Sequence, residues 1–478
     1  MTRTSDREPR ATRPVGSHDR DGRVAAWGVG VALVLVALAF ALPHLLGWDV
    51  HTRASRSSVD APLIPPLHGW LEPKLLGPGT LPALALAVLG WTWFGRWART
   101  ARWGRLLLVG YLLCLGWCLA LALVDGPSGL SRVLGSDVEY LPTARSVTDV
   151  GTLLGEYVSR IPYAAAPDNW PTHVAGHPPL MLLFFVGLVH LGLGGDLAAG
   201  VVVTVVGATL PLAVLVAARA LGAERHARAA APFLVLSPVA VFVAVSADAV
   251  IGATMAWGLA ALAVAATTRG RGWLPWSVVA GLLLGAGVMM SYGMPLMGLV
   301  ALAVLAAARS WRPLVPAALA ALAVVLGFAL AGFAWWEAYP VLHDRYWDGI
   351  AADRPAAYWL WGNLAALVVI TGPLVPGALA VAGERLRAAS PLRGPARDAV
   401  RTVVLLSLAT ALVVLLADAS RMSKAETERI WVPFVPWLTL AVALLPGVLE
   451  GRGRWLRVGL AVQLAATILV QQLFYTSW

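Results

Sequence analysis

Residues 24–46 read VAAWGVGVALVLVALAFALPHLL, one apolar run without a charge. A helix needs about 20 such residues to cross a hydrocarbon core of about 30 Å. A secretory signal core is shorter, roughly 7–15 residues. The run therefore reads as a first membrane span, and the polar, arginine-rich residues 1–23 before it as a disordered tail. Comparable runs recur at 80–94, 105–124, 178–194, 197–218, 229–246, 249–266, 274–290, 294–308, 313–336, 357–381, 400–417, 430–448 and 455–474. Of the 478 residues, 59% are hydrophobic and 13% charged. A soluble domain carries about 25% charged residues, so an ordinary soluble enzyme is excluded, as is a disordered or fibrous chain. Backbone groups in lipid must be satisfied within the segment, so the runs are helices. The expected fold is all-α, a polytopic transmembrane helix bundle.

The net charge of +10 concerns sidedness rather than nucleic acid. Positive charge collects on the cytoplasmic side of a membrane protein. Arg3, Arg7, Arg10, Arg13, Arg20 and Arg23 place the tail inside, and Arg96, Arg99, Arg102 and Arg105 place the next basic loop inside. Segments 47–79 and 125–177 then lie outside. Working back from the far end, Arg452/Arg454/Arg457, Arg385–Arg401, Arg309/Arg312, Arg269/Arg271 and Arg219/Arg225/Arg228 all fall inside if every run from 197 onward spans once. The two readings agree only if 178–194, which holds His190 and ends in LGLGGD, does not fully cross. The expectation is about 13 spans in the plasma membrane, with the amino terminus inside and the carboxy terminus outside. The chain divides into the tail 1–23, N-terminal spans 24–124, an external loop with a re-entrant or interfacial segment 125–196, and a bundle 197–478 with external loops 337–356 and 418–429. Within the first long loop, Ser146 and Asp149 form a capping-box pattern, with Val147, Val150, Leu154, Tyr157, Val158 and Ile161 at helical spacing behind it. That pattern predicts an interfacial helix.

Two cysteines, Cys114 and Cys118, share one helix face and make neither a disulfide framework nor a zinc cluster. Gly281 and Gly285 form a GxxxG, a signal for close helix packing. The runs from 197 onward hold almost no ionisable residue at mid-depth. The acids crowd the outer side: Asp137 and Glu139, then Asp149, Glu156 and Asp168, with His173 and His177 closing the loop. Asp248 lies at the outer end of its run. Segment 418–429 adds Asp418, Arg421, Lys424, Glu426, Glu428 and Arg429. A carboxylate at a membrane surface can serve as general base for a hydroxyl. Nearby Arg, Lys or His can hold a lipid phosphate and stabilise it as it leaves. Solvated loop charge accounts for the same residues singly.

Their order is more specific. A first long external loop with Asp137-Val138-Glu139-Tyr140, closing in His177-Pro178-Pro179-Leu180 at a new apolar segment, resembles the GT-C superfamily of membrane glycosyltransferases. Arg345-Tyr346-Trp347-Asp348-Gly349 before Asp353-Arg354-Pro355, and Ala425-Glu426-Thr427-Glu428-Arg429-Ile430-Trp431, are similar to stretches of uncharacterised actinobacterial members. The resemblance covers roughly residues 130 to 435. It implies a GT-C-like fold and inverting transfer of a sugar from a polyprenyl-phosphate donor to a cell-envelope glycan, lipid or protein acceptor. It makes Asp137 the candidate general base, with Glu139 as alternative or metal-side partner. His177, Arg421, Lys424 and Arg429 become donor or phosphate ligands, with Asp248, Glu426 and Arg345 as further candidates. Some members use a divalent cation and others do not, so the metal stays open. The implied partners are the lipid-linked donor, the acceptor and membrane lipid, with no nucleic acid. A lipid-linked sugar flippase or transporter and a non-catalytic membrane scaffold are the competing functions. The first would need a polar path through the bundle.

Overall fold

The computed structural model describes residues 15–52, 61–387 and 394–476. It is mostly helical, with one short two-stranded ribbon. The first helix, Val15–Leu46, begins earlier than its apolar run, so residues 15–23 of the expected tail are helical. Residues 1–14, with Arg3, Arg7, Arg10 and Arg13, lie outside the described residues.

Among the described residues, seven helices are long and apolar enough to cross a membrane: Asp19–Leu46, Trp103–Asp125, Asp196–Ala220, Ala247–Thr267, Gly270–Met290, Gly394–Ala419 and Arg454–Leu473. Two bent pairs raise the number to nine if each is one span. Leu314–Leu330 turns by 75° into Trp335–Trp347, and Ala356–Thr371 by 104° into Leu374–Arg387. The expected 13 is higher because several runs are broken or short. Run 229–246 contains the end of Glu224–Val235, with Pro232 inside, and then a short 3-10 turn from Pro238. Run 430–448 divides into short turns. Pro179–His190 has 12 residues, about 18 Å of helix, too short for a core of about 30 Å. Gly192, at φ +76°, turns the chain after it. Segment 337–356, expected as a loop, is helical through Trp347.

Small residues let the helices close on one another. Gly281 and Gly285 pack Trp273–Met290 against Leu314–Leu330, and a Cβ at Gly281 would land on the Ala317 carbonyl oxygen. The interfacial helix is shorter than its sequence pattern. Ser146 closes the preceding helix Tyr140–Ser146, its hydroxyl donating to the Thr143 carbonyl at 2.8 Å. Asp149 is the cap of Val150–Glu156, accepting the Thr152 N–H at 2.5 Å.

A two-stranded antiparallel ribbon joins the segment after the first helix to the segment after the last one. Gly69–Leu71 pairs with Phe474–Thr476 in the register Trp70 opposite Tyr475. The ribbon therefore brings segment 61–76 and the end of Arg454–Leu473 to the same place as the 130–140 loop.

Candidate functional site

Four segments far apart in sequence meet at one end of the bundle. Glu139 precedes the helix Tyr140–Ser146, and its loop is anchored where the His173 N–H donates to the Val138 carbonyl at 3.1 Å. Asp248 stands in the first turn of Ala247–Thr267, a position that favours a carboxylate by the helix dipole. Glu426 and Arg429 come from the chain that follows Gly394–Ala419. The basic residues Arg269 and Arg271 follow the far end of Ala247–Thr267, and Arg397 and Arg401 sit at the start of Gly394–Ala419. Acids and basic loops thus occupy opposite ends of these two helices.

The 421–429 chain is held in an unusual shape. Arg421, Ala425 and Glu426 have φ of 58°, 68° and 62°, a left-handed region that costs an L-residue roughly 1–2 kcal/mol. Surrounding bonds impose it. The Lys424 N–H donates to the Tyr346 hydroxyl at 2.8 Å and the Ala425 N–H to Asn363 Oδ1 at 3.2 Å. Arg354 donates to the Lys424 carbonyl at 2.6 Å and reaches Glu426 Oε1 at 3.2 Å. Its Nε donates to the His51 carbonyl at 3.0 Å, and the nitrogen that reaches Glu426 also donates to the Thr52 carbonyl at 3.3 Å.

Arg429 is the hub. Its Nη1 lies 3.7 Å from Glu139 Oε1, its Nε 3.4 Å from Asp248 Oδ2, and its Nη2 3.9 Å from Glu426 Oε2. His173 Nδ1 adds a bond of 2.7 Å to Glu139 Oε1. Burial alone would raise the Glu139 carboxyl, but His173 and Arg429 bring it below the ordinary carboxylate range. Glu426 behaves likewise. Burial opposes ionisation, and His68, Arg354 and Arg429 outweigh it, so its pKa falls to about 2. For Arg429 burial disfavours the charge and the carboxylates of Asp248, Glu139 and Glu426 overcome it, raising its pKa. His177 is pushed down by burial and so stays neutral, despite Asp248 nearby. Its ring meets the Tyr140 ring edge-on at 5.7 Å, and its Nδ1 lies 2.9 Å from the His173 carbonyl.

A cavity of about 380 Å³ opens beside this cluster. Glu139, His173, Glu426, His68, Arg132 and Tyr475 are among the residues that line it. Two buried oxygens here, Glu139 Oε2 and the Tyr140 hydroxyl, have no hydrogen-bond partner among the described residues, and Asp248 Oδ2 has the 3.4 Å ion pair to Arg429 Nε. Buried polar atoms are rarely left so. A carboxylate oxygen only accepts, so a group that completes Glu139 Oε2 is a donor such as a hydroxyl.

The structure brings Glu139, Asp248, Glu426, Arg429 and His177 together. It leaves four sequence candidates elsewhere. Asp137 is exposed and makes no ion pair among the described residues. Arg421 is exposed at the surface. Lys424 is buried, with Nζ donating to the Arg354 carbonyl at 2.8 Å and lying 4.4 Å from the Trp347 ring centre. Arg345 is buried, donating to the Ile161 carbonyl and, at 2.8 Å, to the Trp170 carbonyl. It ties Trp335–Trp347 to the external loop. Sequence reasoning missed His68 and Arg132 as cavity residues and Arg354 as the clamp on Glu426. Among the described residues, no three His, Cys, Asp or Glu side chains group closely enough to hold a metal ion.

No protein-family model matches the chain, and neither does any curated protein. Two solved structures of the oligosaccharyltransferase of the archaeon Archaeoglobus fulgidus are similar to it. One, a crystal structure of the complex with Zn and sulfate, has a TM-score of 0.45 at 12% identity, covering 77% of this chain and 52% of that one. The other, AglB with an inhibitory peptide and a dolichol-phosphate, has a TM-score of 0.38 at 14% identity, covering 78% and 55%. The chain spans about half the length of these two structures.

Proposed function

We propose that this protein is a GT-C-type membrane glycosyltransferase that moves a sugar from a polyprenyl-phosphate donor to a hydroxyl-bearing acceptor at the outer membrane face. The observation that carries the reading is Glu139, a buried carboxylate on a cavity wall, held ionised, with Oε2 lacking a partner. The acceptor hydroxyl donates to Glu139 Oε2 and gives up its proton there as its oxygen attacks the anomeric carbon. The new C–O bond forms as the bond to the phosphate oxygen breaks, and polyprenyl phosphate leaves with that electron pair. Arg132 and His68, which also line the cavity, would meet the departing negative charge. His173 fixes the Glu139 carboxylate by its 2.7 Å bond. The basic clusters at the opposite helix ends support an inside location for those loops and an outer location for this cavity.

Purified protein in lipid nanodiscs, given a polyprenyl-phosphate sugar and a glycan acceptor, is expected to release polyprenyl phosphate and form glycosylated acceptor. Movement of a labelled lipid-linked sugar across vesicles with no transfer product would show a flippase instead.

A further inference from the structure

We infer that Arg429 occupies the position that a divalent cation would take among Glu139, Asp248 and Glu426, and that the protein works without a metal ion there. Each side of the guanidinium faces a carboxylate from a different segment: Nη1 to Glu139, Nε to Asp248 and Nη2 to Glu426, at 3.4–3.9 Å. One divalent ion binds its oxygens at about 2.0–2.6 Å. These carboxylates are instead spread around a planar cation whose charge is distributed over three nitrogens. No three His, Cys, Asp or Glu side chains among the described residues converge more tightly.

The charges agree with this. Arg354 sets a second guanidinium 3.2 Å from Glu426. Three carboxylates and two guanidiniums leave one net negative charge, and His173 lies 2.7 Å from Glu139 Oε1 and 3.5 Å from Arg429 Nη1. A divalent ion would bring two further positive charges beside a fixed one in a buried site, where like charges repel strongly. Arg429 does not line the cavity, so it is a positioning residue. It keeps Glu139 and Glu426 ionised and apart.

The part of this inference that concerns turnover rests on the transferase reading above. The part that concerns binding does not, and the test separates them. Full-length protein in nanodiscs is stripped with EDTA and titrated with Mn²⁺, followed by electron paramagnetic resonance and by melting temperature. The wild type is expected to show no saturable site up to about 1 mM and no change in melting. In Arg429→Ala the unbalanced carboxylates are expected to recruit Mn²⁺, so the ion raises the melting temperature of that variant alone. A wild-type Mn²⁺ site of dissociation constant below about 0.1 mM, abolished by Asp248→Asn, overturns the inference, and this arm needs no Arg429 variant to fold. In the transfer assay, turnover in EDTA is expected within two-fold of that with Mn²⁺. Turnover that requires added Mn²⁺ overturns the inference. No turnover in either condition counts against the transferase reading, and the binding titration then still decides the role of Arg429.

Discussion

Glu139→Gln tests the site most directly. The substitution keeps the shape of the side chain, and a glutamine carbonyl can still accept from His173 at the position of Oε1, where the bond is now 2.7 Å. The change falls on the other side. The partnerless Oε2 becomes an NH₂ group, a donor where the acceptor hydroxyl needs to donate. General-base assistance typically contributes 10²–10⁴-fold, so kcat is expected to fall by about that factor, or about 3–5 kcal/mol of barrier. The donor KM should move little, because the lost interaction acts in the transition state. The assay is polyprenyl-phosphate release in nanodiscs, with a melting curve to confirm folding. Asp137→Asn, at an exposed carboxylate two residues away, is the control and should stay within about two-fold, as a surface change does. Wild-type turnover in Glu139→Gln would refute the placement of the base, and a loss confined to Asp137→Asn would move it to that residue.

Arg345→Met removes two buried bonds to the Ile161 and Trp170 carbonyls. It should cost about 3 kcal/mol of stability while the folded fraction keeps its kcat, measured by melting and by assay of the surviving protein. Gly281→Ala drives a methyl onto the Ala317 carbonyl and should destabilise by about 1–3 kcal/mol, whereas Gly327→Ala, with open space around it, should be tolerated; thermal melts of the pair decide. The Glu426 carboxyl lies at about 2 rather than the ordinary 4.5. A depressed carboxyl contributes stability above its unfolded value, about 3 kcal/mol here at neutral pH, which is lost as the pH falls from about 4.5 toward 2. Acid unfolding curves should show that loss in the wild type and lack it in Glu426→Gln.

The membrane character of the chain was legible because apolar length is a direct requirement of the bilayer. The number of crossings was not, since composition cannot separate a span from a buried core segment. Run 229–246 is as apolar as any span, yet residues 229–236 are buried within the bundle, and the chain breaks at Ser237-Pro238. Periodicity misses such breaks when every face is apolar. The same limit shortened the interfacial helix. Both Ser146 and Asp149 suit a cap, and only tertiary placement decides that Ser146 ends one helix and Asp149 starts the next.

The site divides along a similar line. Glu139, Asp248, Glu426 and Arg429 stood out because ionisable residues at the rim of an apolar bundle are few and costly to bury. Their roles depend on backbone geometry that carries no sequence signal. Asp137 and Glu139 are chemically alike, and it is Glu139 that the His173 bonds to the Val138 carbonyl and to Glu139 Oε1 turn inward. Lys424 and Arg429 are both cations, but the left-handed pair Ala425 and Glu426 redirects the chain between them. Lys424 then reaches back to the Arg354 carbonyl, while Arg429 enters the carboxylate cluster. That backbone shape is costly, and neither residue has the glycine freedom that would have flagged it. It holds because Tyr346, Asn363 and Arg354 each bond to the segment from other helices and turns. The strain is thus placed where it separates a structural lysine from the arginine that sets the charge of the cavity wall.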